Sequence, residues 1–151
     1  MADVVSKEVR SRMMSGIRGT NTRPELVLRR GLHRRGFRFR LHSRKLPGKP
    51  DFVFLKHSAV ILVNGCFWHG HDCHLFKWPQ TREEFWREKI SGNVKRDAAN
   101  LAVLRKQGWR VGRIWECALK GKTRRSPDEV LDRCAAWLAG NKPELEISGH
   151  G

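Results

Sequence analysis

With 39% apolar and 30% charged side chains in 151 residues, the chain has the composition of one folded domain, not of a disordered segment. Lys and Arg outnumber Asp and Glu by 31 to 15, a net charge of +16, which suits a polyanion such as nucleic acid. No stretch is apolar for long enough to span a bilayer, and Met1-Ala2-Asp3-Val4-Val5 lacks the apolar core of a secretory signal, so the expected compartment is the reducing cytoplasm, where four cysteines point to metal before disulfide.

The charge is concentrated at the start, where residues 1–50 hold 14 basic and 3 acidic side chains. Residues 1–22 carry Arg10, Arg12 and Arg18 among Met13, Met14 and Ile17, interrupted by Gly16, Gly19 and Asn21. They read as a basic arm, partly helical over 6–15. Thr22-Arg23-Pro24-Glu25 starts a helix, with Thr22 as cap, and Gly36 ends it. Phe37-Arg38-Phe39-Arg40-Leu41 alternates as a half-exposed strand, and Leu46 to Pro50 is a turn. Residues 51–55 and 59–63 read as short buried strands.

Thr81-Arg82-Glu83-Glu84 has the form of a capping box and predicts a long helix over about 82–107, closed by Gly108. Residues 109–115 predict a further strand. Ser126-Pro127 opens a last helix that ends near Gly140, and the polar tail over 141–151 is expected to fray. The order predicts an α/β sandwich with a mixed central sheet flanked by helices. It is organised as the arm 1–22, one domain over 23–140 and the tail.

The most informative stretch is Asn64-Gly65-Cys66-Phe67-Trp68-His69-Gly70-His71-Asp72-Cys73. Cys66, His71 and Cys73 give three soft or imidazole donors from one loop. A tetrahedral site needs a fourth, for which Cys117, His69, His74 and Cys134 are available. Cys134 falls on an apolar helix stripe and reads as core, whereas Cys117 directly follows a strand. The set Cys66, His71, Cys73 and Cys117 is therefore assigned to a structural zinc with no open position.

Asp51, opening an apolar strand after Pro50, is costly unless it binds something; a strand-borne Asp of this kind holds Mg²⁺ in many nucleases. The acid-x-Lys that commonly accompanies it on the next strand is missing, since that strand ends Leu62-Val63-Asn64-Gly65. His69, two residues from a ligand, is placed to face the other way as a general base. Glu25 either answers its helix dipole or reaches the metal's water shell. Phe67 and Trp68, adjacent in a Gly-bounded loop, suit a wedge into stacked bases, and Trp86 either stacks beside them or anchors its helix.

Several spaced segments resemble one known family, the very short patch repair (Vsr) DNA mismatch endonucleases: Arg10-Ser11-Arg12-Met13-Met14, Leu46-Pro47-Gly48-Lys49-Pro50-Asp51, Gly65 to Cys73, Leu75-Phe76-Lys77-Trp78-Pro79, Glu84 to Ile90, Gly108-Trp109-Arg110-Val111 and Trp115-Glu116-Cys117-Ala118-Leu119. The resemblance covers about residues 7–121. It implies a restriction-endonuclease-like fold and Mg²⁺-dependent nicking on the 5′ side of the T in a T·G mismatch left by deaminated 5-methylcytosine. It implies Asp51 and the Val63 backbone carbonyl at Mg²⁺, His69 as base, support from Glu25 and Asp97, and a structural Zn²⁺ on Cys66, His71, Cys73 and Cys117. Phe67, Trp68 and Trp86 would intercalate, and Met14, Lys89 and Asn93 would contact the mismatch.

A monomer working on double-stranded DNA in the nucleoid, alongside a cytosine-5 methyltransferase and a repair polymerase, is expected. Asn64 stands where the family usually has His, and Asn cannot become cationic or act as a base. The alternatives are a zinc-stapled DNA or mismatch binder with little catalysis, and a related nuclease of broader substrate range.

Overall fold

The computed structural model describes residues 22–150. The arm, including Met14, lies outside them apart from Thr22. Helix α1 (Arg23–Arg34) begins as expected: the Thr22 hydroxyl accepts from the Glu25 N–H at 3.4 Å, and Pro24 sits in the first turn, where no N–H is needed. Strands β1 (Arg40–Leu41), β2 (Phe52–Phe54) and β3 (Ala59–Asn64) follow, then α2 (Glu83–Lys106), β4 (Arg110–Trp115), α3 (Pro127–Ala139) and β5 (Glu144–Ile147).

The five strands lie in chain order, β1-β2-β3 antiparallel and β3-β4-β5 parallel, so the predicted mixed α/β sheet is present. The period-two alternation splits each strand between two cores. Phe52, Phe54, Ala59, Ile61 and Ile114 face α1 and α3, which bring Leu28, Leu32, Val130, Leu131 and Trp137. Val53, Val60 and Val111 face α2 through Leu101 and Leu104. Helices α1 and α3 approach so closely that a Cβ on Gly31 would meet the Leu131 side chain at 2.3 Å; glycine is what that crossing admits.

Three local expectations change. The strand expected over 37–41 shrinks to Arg40–Leu41, because the Phe37 N–H closes α1 on the Leu32 carbonyl and Phe37 and Phe39 turn their rings onto Phe54. The capping box at Thr81 does not form. The chain enters α2 through Arg82 in the left-handed region (φ 53°), with no side-chain cap, and Arg82 instead covers the Phe85 ring. The tail does not simply fray: Glu144–Ile147 is a strand, held by its parallel register on β4 and by burial of Ile147. Its short Glu-Leu-Glu-Ile alternation is the signal that polar flanks obscured.

Candidate metal and active sites

The parallel pairing of β3 and β4 builds the first site. In register, Asn64 lies opposite Trp115, so the residues that follow, Gly65-Cys66 and Glu116-Cys117, leave the same end of neighbouring strands. The loop after β3 folds back on itself, with the His71 N–H on the Cys66 carbonyl at 2.9 Å. Glu116 ties the two exits together by accepting the Cys66 N–H at 3.2 Å. As a result the donor atoms of Cys66, His71, Cys73 and Cys117 all lie within 4.8 Å of one another.

A tetrahedron with metal–sulfur bonds of ~2.3 Å has edges near 3.8 Å, so this set is of the right size for zinc. The His71 Nδ1–Cys117 Sγ separation is 3.6 Å. Burial pushes the Cys66 and Cys117 thiols up and the His71 imidazole down. A neutral imidazole is ready to ligate, and the raised thiols are groups that a bound cation would deprotonate. The His71 ring stacks on Trp115 at 4.0 Å, the Trp115 indole N–H donates to Glu146 at 2.7 Å, and the Gly149 N–H points to Cys117 Sγ at 3.3 Å. Cys134 is fully buried in the α3 core, as read, and His74 pairs with Thr123 outside the cluster.

The second site gathers at the start of β2. Asp51 Oδ2 accepts the Val63 N–H at 2.7 Å, and its carboxylate lies within 4.8 Å of donors from Glu25 and His42. Glu25, only 1% exposed, takes Arg29 at 2.7 Å and His42 at 2.6 Å on one oxygen. Burial raises the Asp51 carboxyl to about 6, with the nearby Glu25 charge adding to the rise and the Val63 N–H opposing it. Two carboxylates confined together favour a shared proton or a bound cation, and hard oxygen donors suit Mg²⁺.

His42 was not singled out from the sequence. It lies nine residues before Asp51 in a basic turn region, and only the β1–β2 pairing, which puts the His42 N–H on the Asp51 carbonyl at 3.0 Å, brings the two together.

His69 Nδ1 lies 2.5 Å from Asp97 Oδ2 on α2. A carboxylate only accepts, so Nδ1 carries a proton, and in the neutral form of the ring it is Nε2 that offers the lone pair. Asn64, 5% exposed at the end of β3, and Asp97 line one small hollow with Asn100 and Arg113. The structure therefore clusters Glu25 with Asp51 and pairs His69 with Asp97, both beside the C-terminal end of β3.

The aromatic side chains pack as a set. Ring centroids of Phe67, Trp68 and Trp86 lie 5.1 to 5.7 Å apart. Trp68 is only 6% exposed, because Phe67 and Trp86 shield it, so the expected open pair of wedges is present as one sheltered ring and one half-buried one. Asn93 donates to the Trp68 carbonyl at 2.8 Å, and Lys89 is half-buried on the same helix. Gly65, Phe67, Trp68, Leu75, Trp86, Glu116 and Lys120 enclose a hollow of about 390 Å³.

An α/β sheet carrying a closed thiol–imidazole cluster and a separate carboxylate–histidine cluster defines a protein with two candidate metal sites. The family model described as DNA mismatch endonuclease Vsr matches residues 2–75. The chain is 42% identical over 151 residues to the DNA mismatch endonuclease Vsr of Escherichia coli K12, covering all of this chain and 97% of that protein. It is 46% identical over 119 residues to the type II nicking enzyme V.XorIIP of Xanthomonas oryzae, covering 79% and 88%. It is 40% identical over 122 residues to the type II nicking enzyme V.NmeAIP of Neisseria meningitidis, covering 81% and 87%. The chain belongs to the Vsr family of DNA mismatch endonucleases.

Proposed function

We propose that the chain is a Mg²⁺-dependent, restriction-endonuclease-like enzyme that nicks one strand 5′ to the T of a T·G mismatch. The observation that carries this reading is the Glu25–His42–Asp51 cluster, built around the buried Glu25, and the His69–Asp97 pair, each gathered at the end of β3 where Asp51 meets Val63 and Asp97 meets Asn64. Asp51 and the Val63 carbonyl would hold Mg²⁺, with Glu25 reaching it through water. The ion would lower the pKa of a bound water and offset charge on the phosphate.

The chain's own residues supply the rest. Asp97 fixes the His69 tautomer, so Nε2 takes a proton from the attacking water, while Arg29 and His42 hold Glu25 in place. Cys66, His71, Cys73 and Cys117 would hold a structural zinc that sets the 65–73 loop, and with it His69 and the Phe67–Trp68 rings. Trp86 would join those rings at the mismatch with Lys89, Asn93 and, from the arm over 1–22, Met14. A monomer in the cytoplasm, served by a repair polymerase and following a cytosine-5 methyltransferase, completes the reading.

Paired duplexes differing only by T·G or C·G at one position test it. Nicking of the T·G duplex alone, 5′ to the T and only with Mg²⁺, is the expected result and would show that Asn64 suffices. Cutting of both duplexes would place the chain among broader nucleases, and binding without cutting would make it a mismatch binder.

The zinc assignment carries a prediction of its own at Gly149. A Cβ there would meet Thr123 Oγ1 at 2.4 Å and, at 2.6 Å, the carbonyl of Cys117, itself one of the four donors. Gly149→Ala is expected to cost about 1–3 kcal/mol in overpacking and to speed metal loss to a chromophoric chelator several-fold. Release at the wild-type rate would remove the tail from the centre's support.

A further inference from the structure

A groove of about 970 Å³ runs between the start of α1 and the segment 116–127. Among the described residues, Arg23, Lys120, Lys122, Arg124 and Arg125 line it, against the one carboxylate of Glu116. Arg23, Lys122 and Arg124 are exposed. Arg125 is partly committed, donating to the Ser148 carbonyl at 2.6 Å and to Glu129 at 2.8 Å, and Lys120 lies 3.2 Å from Glu116. Thr22 and Ser126, the caps of α1 and α3, stand on its walls, so the positive ends of two helix dipoles add to the side-chain charge.

The groove does not stand apart from the aromatic hollow. Glu116 and Lys120 line both, which makes one continuous surface from the Phe67, Trp68 and Trp86 rings to the cations of segment 120–125. A partner lying along it presents an apolar, stackable element at one end and a row of negative charge at the other. Duplex DNA has that order, with bases at a distorted step and phosphates on the flank.

We propose that this groove is a backbone track for the duplex flanking the mismatch, in which Arg23, Lys122 and Arg124 each neutralise a phosphate. The inference rests on the reading of the chain as a DNA enzyme. It adds a division of labour: the track supplies salt-dependent affinity that is blind to sequence, and discrimination is left to the aromatic end.

Binding of the full chain to a matched duplex and to its T·G counterpart, over a series of salt concentrations, tests this with the double variant Lys122→Ala and Arg124→Ala. Each lost phosphate contact flattens the slope of log K against log salt by about 0.9, so a change near 1.8 is expected, with the same fold-loss on both duplexes. An unaltered melting temperature would show that these exposed positions leave the fold intact. A wild-type slope in the variant would overturn the track and leave the groove to an acidic protein segment. Loss on the T·G duplex alone would overturn it too, by moving both residues to mismatch recognition. If the wild-type chain itself bound neither duplex, the DNA reading would fail, a result distinct from failure of the track.

Discussion

Asp51→Asn is expected to reduce nicking of a T·G duplex roughly a thousandfold, the order of a lost metal ligand worth several kcal/mol, while affinity for the duplex stays within a few-fold of the wild type. Asn keeps the shape and can still accept the Val63 N–H, but it removes the charge that a cation needs. Single-turnover nicking and equilibrium binding, measured side by side, separate the two effects; nicking at the wild-type rate would take Asp51 out of the site.

The same carboxyl sets a pH dependence. Burial raises it from 3.8 to about 6, so a proton and Mg²⁺ compete for it within reach of neutral pH. Mg²⁺-limited nicking should rise as pH passes through about 6, and the midpoint should move to lower pH as Mg²⁺ is increased. In the metal-free chain the sign for stability is the reverse. Between 3.8 and about 6 the folded state binds more protons than the unfolded state, so the stability Asp51 contributes is complete at low pH and is lost as pH rises through about 6.

Cys117→Ala is expected to do its damage through the fold. Removing one of four donors from a closed centre forfeits most of the metal's contribution to folding. A loss of about 5 kcal/mol would lower Tm by roughly 10–20 °C in a chain of this size. Metal content should fall with it. Cys134→Ala, also buried but away from the cluster, is the control: it should keep the metal and lose only what a small cavity costs. Full metal content in the Cys117 variant would refute the centre.

How much of this was legible in the chain varies with the range of the interaction that decides it. The Thr22 cap and the helix start at Ser126 are local, with the hydroxyl and the N–H it accepts three residues apart; the first forms as read, and the second carries a Ser126 cap as well. The Cys66, His71, Cys73 and Cys117 cluster was legible because three donors share one loop and the fourth follows a strand that pairs with the strand before that loop. His42 was not, because its place beside Glu25 and Asp51 depends on the short β1–β2 pairing. Trp68 shows the same limit from the other side. Two adjacent aromatics in a loop read as exposed, and only the approach of Trp86 from α2, far along the chain, tucks one of them away. Thr81 matched a capping pattern, yet the direction from which the 74–82 loop reaches α2 placed Arg82 at the cap.

The crowding of Cys66, Cys73 and Cys117 sulfur atoms has a redox consequence. Three thiols whose sulfur atoms lie within 4.8 Å of one another are neighbours for which the ~2.05 Å bond of a disulfide is the competing product. With a cation bound, the sulfur lone pairs are engaged and the thiolates are shielded from oxidants. Once it leaves, a two-electron oxidant such as a small-molecule disulfide can join two of them, with its own sulfurs released as thiols. That would remove two of the four donors and block reloading until a reductant restores them. Chelation followed by a small-molecule disulfide should therefore disarm the protein in a way that added metal alone does not reverse and a thiol reductant with metal does.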